Sequence, residues 1–127
     1  MHITQDLKDL KETDMYFVPN LPEIYIGYEC EIRSPKYEGK KFIIYEDQMQ
    51  YAVGCIRAGI LFTPYLTKEQ IEAEGWTSFG KCAYSHPDGY ILIIDQYLIE
   101  IRNSIILFHG ECKDINTFRY ITKLLRI

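Results

Sequence analysis

Along residues 24–33 the side chains alternate in character. Ile24, Ile26, Tyr28, Cys30 and Ile32 fall on one side, while Tyr25, Gly27, Glu29, Glu31 and Arg33 fall on the other. A period of two with one apolar and one wet side predicts a half-buried β-strand. Shorter versions follow. Residues 41–45 (KFIIY) predict a second strand, Glu46-Asp47-Gln48 a turn, and residues 49–56 a third strand in which Gly54 marks a bulge or close backbone approach. Arg57-Ala58-Gly59 predicts another turn and residues 60–63 a fourth strand. Four short strands with tight turns describe an antiparallel meander or a small open barrel. Upstream, residues 5–14 spell a short helix or an irregular arm, with Leu7 and Leu10 three apart. Pro19 and Pro22 then hold the chain extended, and residues 34–39 (SPKYEG) read as a loop.

The pattern changes at YLTKEQIEAEGW, residues 65–76. Thr67 is a natural N-cap with Gln70 at N3, which makes a capping box. Leu66 before the cap can staple onto Ile71, and Glu69 suits the positive end of a helix. Gly75 stands where a left-handed residue is wanted, and Trp76 beyond it can pack on Ile71. A helix this short holds only when both ends are fixed. It reads as a clamped connector, anchored in the core by Trp76.

Strand patterns resume after it. Residues 77–85 predict one strand containing a glycine, His86-Pro87-Asp88-Gly89 a strong turn, and residues 90–94, 97–101 and 104–108 three further strands. Near the C-terminus, Asp114 or Asn116 can cap a helix whose apolar stripe is Ile115, Phe118, Ile121 or Thr122, and Leu124 or Leu125. Lys123 and Arg126 fall in its final turn, where cations are favoured. The sequence therefore predicts an α+β protein of mainly antiparallel sheet. Two β subdomains, residues 1–65 and 66–127, pack as a single compact domain with a short connector helix and a C-terminal amphipathic helix.

A length of 127 residues suits one domain with its own core. Tyrosine is unusually abundant, at 11 against 6 Phe and 1 Trp. Its ring packs while its hydroxyl reaches water, so it serves half-buried sheet faces first and binding surfaces second. The net charge of -4 argues against a general nucleic-acid binder, which shows a basic stripe. Cys30, Cys55, Cys82 and Cys112 are too scattered for a zinc ribbon or a Cys-x-x-Cys redox site. The opening residues lack the basic start and apolar run of a signal peptide, and no apolar run is long enough to span a membrane. Reduced thiols in a cytoplasm are the expectation.

A likeness accompanies these elements. The capped helix ending in Gly75-Trp76, the strands after it, the stretch Phe108-His109-Gly110-Glu111-Cys112 and the segment 116–125 form one pattern over roughly residues 60–127. It resembles small uncharacterised proteins encoded by tailed phages of gut Bacteroidales, including crAss-like phages. The resemblance implies phage origin and expression in a bacterial host cytoplasm. It transfers no functional residue.

Candidate chemistry is sparse. His86 and Asp88 could form a general base with its orienter, but no nucleophile sits at a recognisable elbow, and the motif is first of all turn chemistry. His109 and Cys112 have a spacing that can supply two metal ligands, with further ligands needed from His2 or Cys82. Glu29 and Glu31, with Glu46 and Asp47 a hairpin later, could serve hydrolysis or hold a divalent ion, although alternating carboxylates more often protect an edge. No P-loop, G-x-G-x-x-G, G-x-S-x-G or H-E-x-x-H occurs. No catalytic residue, metal ligand or cofactor is therefore assigned. The leading expectation is a phage accessory protein that acts by binding a host protein or another copy of itself. The alternative is a sponge for a small anionic nucleotide signal, for which Lys36, Tyr37, Lys40, Lys41 and Arg57 would supply the stacking ring and cations. A hydrolase and a minor virion component rank below these.

Overall fold

The computed structural model describes residues 15–33 and 39–127. The helix or arm expected over residues 5–14, and Lys36 and Tyr37, lie outside them. The fold is α+β, with one antiparallel sheet in each of two compact units that divide between Tyr65 and Leu66.

The first unit contains β1 (Tyr16–Phe17), β2 (Glu29–Ile32), β3 (Lys40–Ile43), α1 (Met49–Arg57) and β4 (Leu61–Pro64). Its sheet runs β1-β4-β2-β3, so β4 crosses back to lie between β1 and β2. Cys30, Ile32 and Leu61 point from the sheet into a core completed by Ile44, Ala52 and Cys55. Tyr28 and the buried Thr63 satisfy each other through a hydroxyl–hydroxyl bond of 2.7 Å.

Two expectations fail here. The strand predicted over residues 24–33 begins only at Glu29. Before it, Leu21–Glu23 forms a 3-10 turn, and Gly27 adopts φ +97°, which an extended strand cannot contain. Ile26 consequently lies in a turn, exposed to solvent. Residues 49–56, expected to be a third strand, form α1 instead. Met49, Ala52, Val53 and Ile56 recur at the spacing of one helical face and pack on the core of this unit with Cys55. Gly54 is no bulge: it lies on the solvent side of the helix.

The second unit contains α2 (Lys68–Ala73), β5 (Thr77–Ser78), β6 (Ala83–Ser85), β7 (Ile91–Asp95), β8 (Leu98–Arg102), β9 (Ile106–Glu111) and α3 (Ile115–Leu124). Its sheet is a meander in chain order, β5 to β9. The caps of α2 form as their residue types dictate. Thr67 Oγ1 accepts from the Gln70 N–H at 3.1 Å, Gln70 Oε1 accepts from the Thr67 N–H at 3.0 Å, and Gly75 takes φ +99°. Trp76 is buried with Ile71, Leu92, Ile99, Ile101 and Phe118. Asp114 caps α3, its carboxylate accepting from the Asn116 N–H at 3.2 Å and from the Thr117 hydroxyl at 2.7 Å. The expected strand over residues 77–85 is a hairpin of β5 and β6. The last strand falls at Ile106–Glu111, later than residues 104–108, and Arg126 lies past the end of α3. No described helix is long and apolar enough to cross a membrane.

Candidate functional site

The cations expected to hold an anion begin on β3. Ile44 donates its N–H to the Tyr28 carbonyl at 3.0 Å. By the alternation of an antiparallel ladder, Phe42 and Lys40 also turn their backbone groups toward β2, and Lys41 and Ile43 turn theirs outward. Side chains alternate with the backbone. Lys40 stands on the side of Ile32, its pairing partner, and Lys41 on the side of Glu31, its own partner. The two lysines therefore point to opposite faces. Lys41 Nζ lies 3.4 Å from Glu29 Oε1, so its charge is matched locally. Arg57 ends α1, the helix packed on the face opposite to Lys41. The structure does not bring Lys40, Lys41 and Arg57 to one point.

The carboxylates of β2 are matched as well. Glu31 Oε1 is 3.3 Å from Arg33 Nη1, and that guanidinium lies 4.6 Å over the ring of Tyr16 and bonds its hydroxyl at 3.2 Å. Glu29 and Glu31 thus form two ion pairs on one sheet face rather than a pair of free carboxylates.

A shallow open groove of about 380 Å³ does lie on this unit, lined by Lys41, Phe42, Ile43, Tyr45 and Gln48. Three of the five are consecutive residues of β3, the terminal strand of its sheet. The groove therefore follows the outer edge of that strand. Phe42 and Tyr45 supply its aromatic rings: Tyr45 is 58% exposed, and the Phe42 ring meets that of Tyr51, 52% exposed, edge-on at 5.8 Å. Among the described residues, Lys41 is the one expected at a binding site that reappears here. Tyr45 and Gln48 follow the strand, and Tyr51 comes alongside only because residues 49–57 are helical. The 3.6-residue period of that segment was the signal available for finding Tyr51.

The other candidates have structural occupations. The His86 ring stacks edge-on against Trp76 at 5.1 Å and Tyr90 at 6.0 Å. Its Nδ1 accepts the Asp88 N–H at 3.2 Å, while Asp88 Oδ2 stands 3.7 Å away. A nitrogen that accepts a backbone proton carries no proton to share with a carboxylate, so the turn competes with the base–orienter geometry. His109 is exposed on β9, whereas Cys112 is buried with its thiol directed at the Asp114 carbonyl. Among the described residues no group of three or more His, Cys, Asp or Glu is arranged to hold a metal ion. Burial pushes the Cys30 thiol up to about 12, with Cys55, Glu29 and Glu31 adding to the effect. Burial, helped by Asp114, likewise pushes the Cys112 thiol up to about 12. Neither behaves as an activated nucleophile.

Comparison with known proteins finds no matching family model, no matching curated protein and no matching solved structure.

Proposed function

We propose that this chain acts by binding, taking an extended segment of a partner protein along the outer edge of β3. The observation that carries the reading is the groove itself, which tracks Lys41, Phe42 and Ile43 and is walled by Tyr45 and Gln48. Strand addition draws affinity from main-chain hydrogen bonds and specificity from alternate side-chain pockets. The outward backbone groups of Lys41 and Ile43 supply the first, and the Phe42, Tyr45 and Tyr51 rings supply the second. Tyrosine is enriched at such surfaces because it adds large contact area at little entropic cost. The resemblance to Bacteroidales phage proteins is the ground for reading it as an accessory protein of infection that meets its partner in the host cytoplasm.

The sponge reading draws less support. A nucleotide anion needs converging cations, and Lys41 is paired with Glu29 while Lys40 turns the other way. A photo-crosslinking residue in place of Tyr45 separates the two. In cells that contain the partner, it should give protein-sized adducts that the same residue in place of Glu69, on α2, does not give. A nucleotide released from the purified chain, and lost in the Lys40→Glu/Lys41→Glu variant, would reverse the choice. Equal adducts from both positions would remove the groove from the account.

A further inference from the structure

The two sheets end differently. β3 is four residues long and opens on Lys40-Lys41, like charges that disfavour its pairing with the same edge of a second copy while leaving it open to a partner segment of other charge. At one end of the other sheet, β5 has only two residues, which is protection by shortness. At its opposite end stands β9, Ile106–Glu111, the longest strand of the sheet, with neither lysine nor proline in it. Ile105 and Ile106 at its start are 64% and 55% exposed. Among the described residues, its guards are a bulge where Ile106 and Phe108 oppose consecutive residues of β8 and the single charge of Glu111 near its end. That bulge leaves the rest of the strand regular.

The hydrogen-bond phase of β9 is fixed. Cys112 donates its N–H to the Tyr97 carbonyl at 2.7 Å, so Gly110 and Phe108 also face β8. His109 and Glu111 therefore direct both N–H and C=O away from the sheet. At the far end, the Leu66 N–H bonds the Lys113 carbonyl at 2.8 Å, which bounds the available edge. What remains is a short stretch centred on His109 and Gly110, with an imidazole and a carboxylate on alternate, same-face positions.

We infer that two copies of this chain pair antiparallel along β9, joining their five-stranded sheets edge to edge. The occupant is a second copy because the stretch is complementary to itself. With the two-fold axis at Gly110, His109 stands directly opposite the partner's Glu111, and the contact occurs twice. With the axis one residue earlier the same pair become diagonal neighbours, still within reach of each other. Such a closed, isologous contact ends at the dimer, because each copy spends its one β9 edge and only the two-residue β5 remains at either end of the joined sheet. The Glu111 carboxylate, now 3.7 Å from Lys113 Nζ, would lie between two cations when His109 is protonated. The pairing is independent of the groove on β3, so a failure here leaves the proposed binding role untouched.

Sedimentation of the full chain across a concentration series tests this. A monomer–dimer equilibrium is expected. Glu111→Lys should weaken it by at least about tenfold, because in both reciprocal contacts the carboxylate that can accept from the partner's imidazole N–H is replaced by a cation that cannot. Adding His109→Glu to that variant should restore the dimer by exchanging the charges. His109→Pro removes an outward N–H but none of the bonds between β8 and β9, and should give a folded monomer. A chain that stays monomeric at every concentration, or a dimer indifferent to Glu111→Lys and His109→Pro, overturns the inference.

Discussion

At the scale of single residues, burial decides what the chemically active side chains can do. Cys30, Cys55 and Cys112 are buried and Cys82 is exposed. A thiolate is the reactive form, and burial in apolar surroundings withholds it. One thiol per chain should therefore react rapidly with an aromatic disulfide reagent at neutral pH. All four should react after denaturation, and Cys82→Ser should abolish the rapid phase. The sequence displayed all four cysteines and excluded a clustered metal motif. It did not distinguish the exposed one, because exposure depends on which hairpin carries Cys82 to the surface. His86 teaches the same lesson. Its turn was legible from His-Pro-Asp-Gly, but its place beside Trp76 and Tyr90 came from the packing of β6 and β7.

At the scale of elements, the helices test how far local rules reach. Each cap of α2 was readable, because a capping box and a left-handed glycine are local chemistry within a few residues. Thr67→Ala should cost about 1 kcal/mol in denaturant unfolding. The strand expected over residues 49–56 rests on β-branched residues and a glycine beside a predicted turn, and α1 forms there instead. Its stripe of Met49, Ala52, Val53 and Ile56 fits a helix better than alternation does. Gly54 gives a direct check. It sits inside α1 with nothing within 4 Å of where a Cβ would stand. Gly54→Ala should therefore stabilise the protein by about 1 kcal/mol, whereas a strand bulge at this position would make the same change destabilising. Thermal and denaturant melts of the two variants should move in opposite directions.

At the scale of the whole molecule, the buried thiols link stability to alkali. Cys30 and Cys112 lie in different units, and each is raised from an ordinary value of 9.0 to about 12. Below pH 9 both are protonated whether folded or unfolded, and their contribution is fully present. Between about 9 and about 12 the unfolded chain releases these protons while the folded chain keeps them. The unfolded state then binds fewer protons, so stability falls as pH rises through that window. Unfolding free energies measured at about pH 8 and about pH 10 should show the loss, and Cys112→Ala should flatten the slope. An unchanged slope would mean that the thiol is solvated in the native state.

The α+β class, the clamped ends of α2, the burial of Trp76, the His86–Gly89 turn and the amphipathic α3 are all legible along the chain. All of these follow from spacing and turn chemistry over a few residues. Tertiary structure alone decided that β4 lies beside β2, that Lys40 and Lys41 part to opposite faces, and that β3 and β9 stand at the ends of their sheets. Strand order and edge position arise from hydrogen bonds between distant segments, and no local period encodes which strand will be left without a neighbour. Binding surfaces on a sheet edge are therefore invisible until the sheet is assembled.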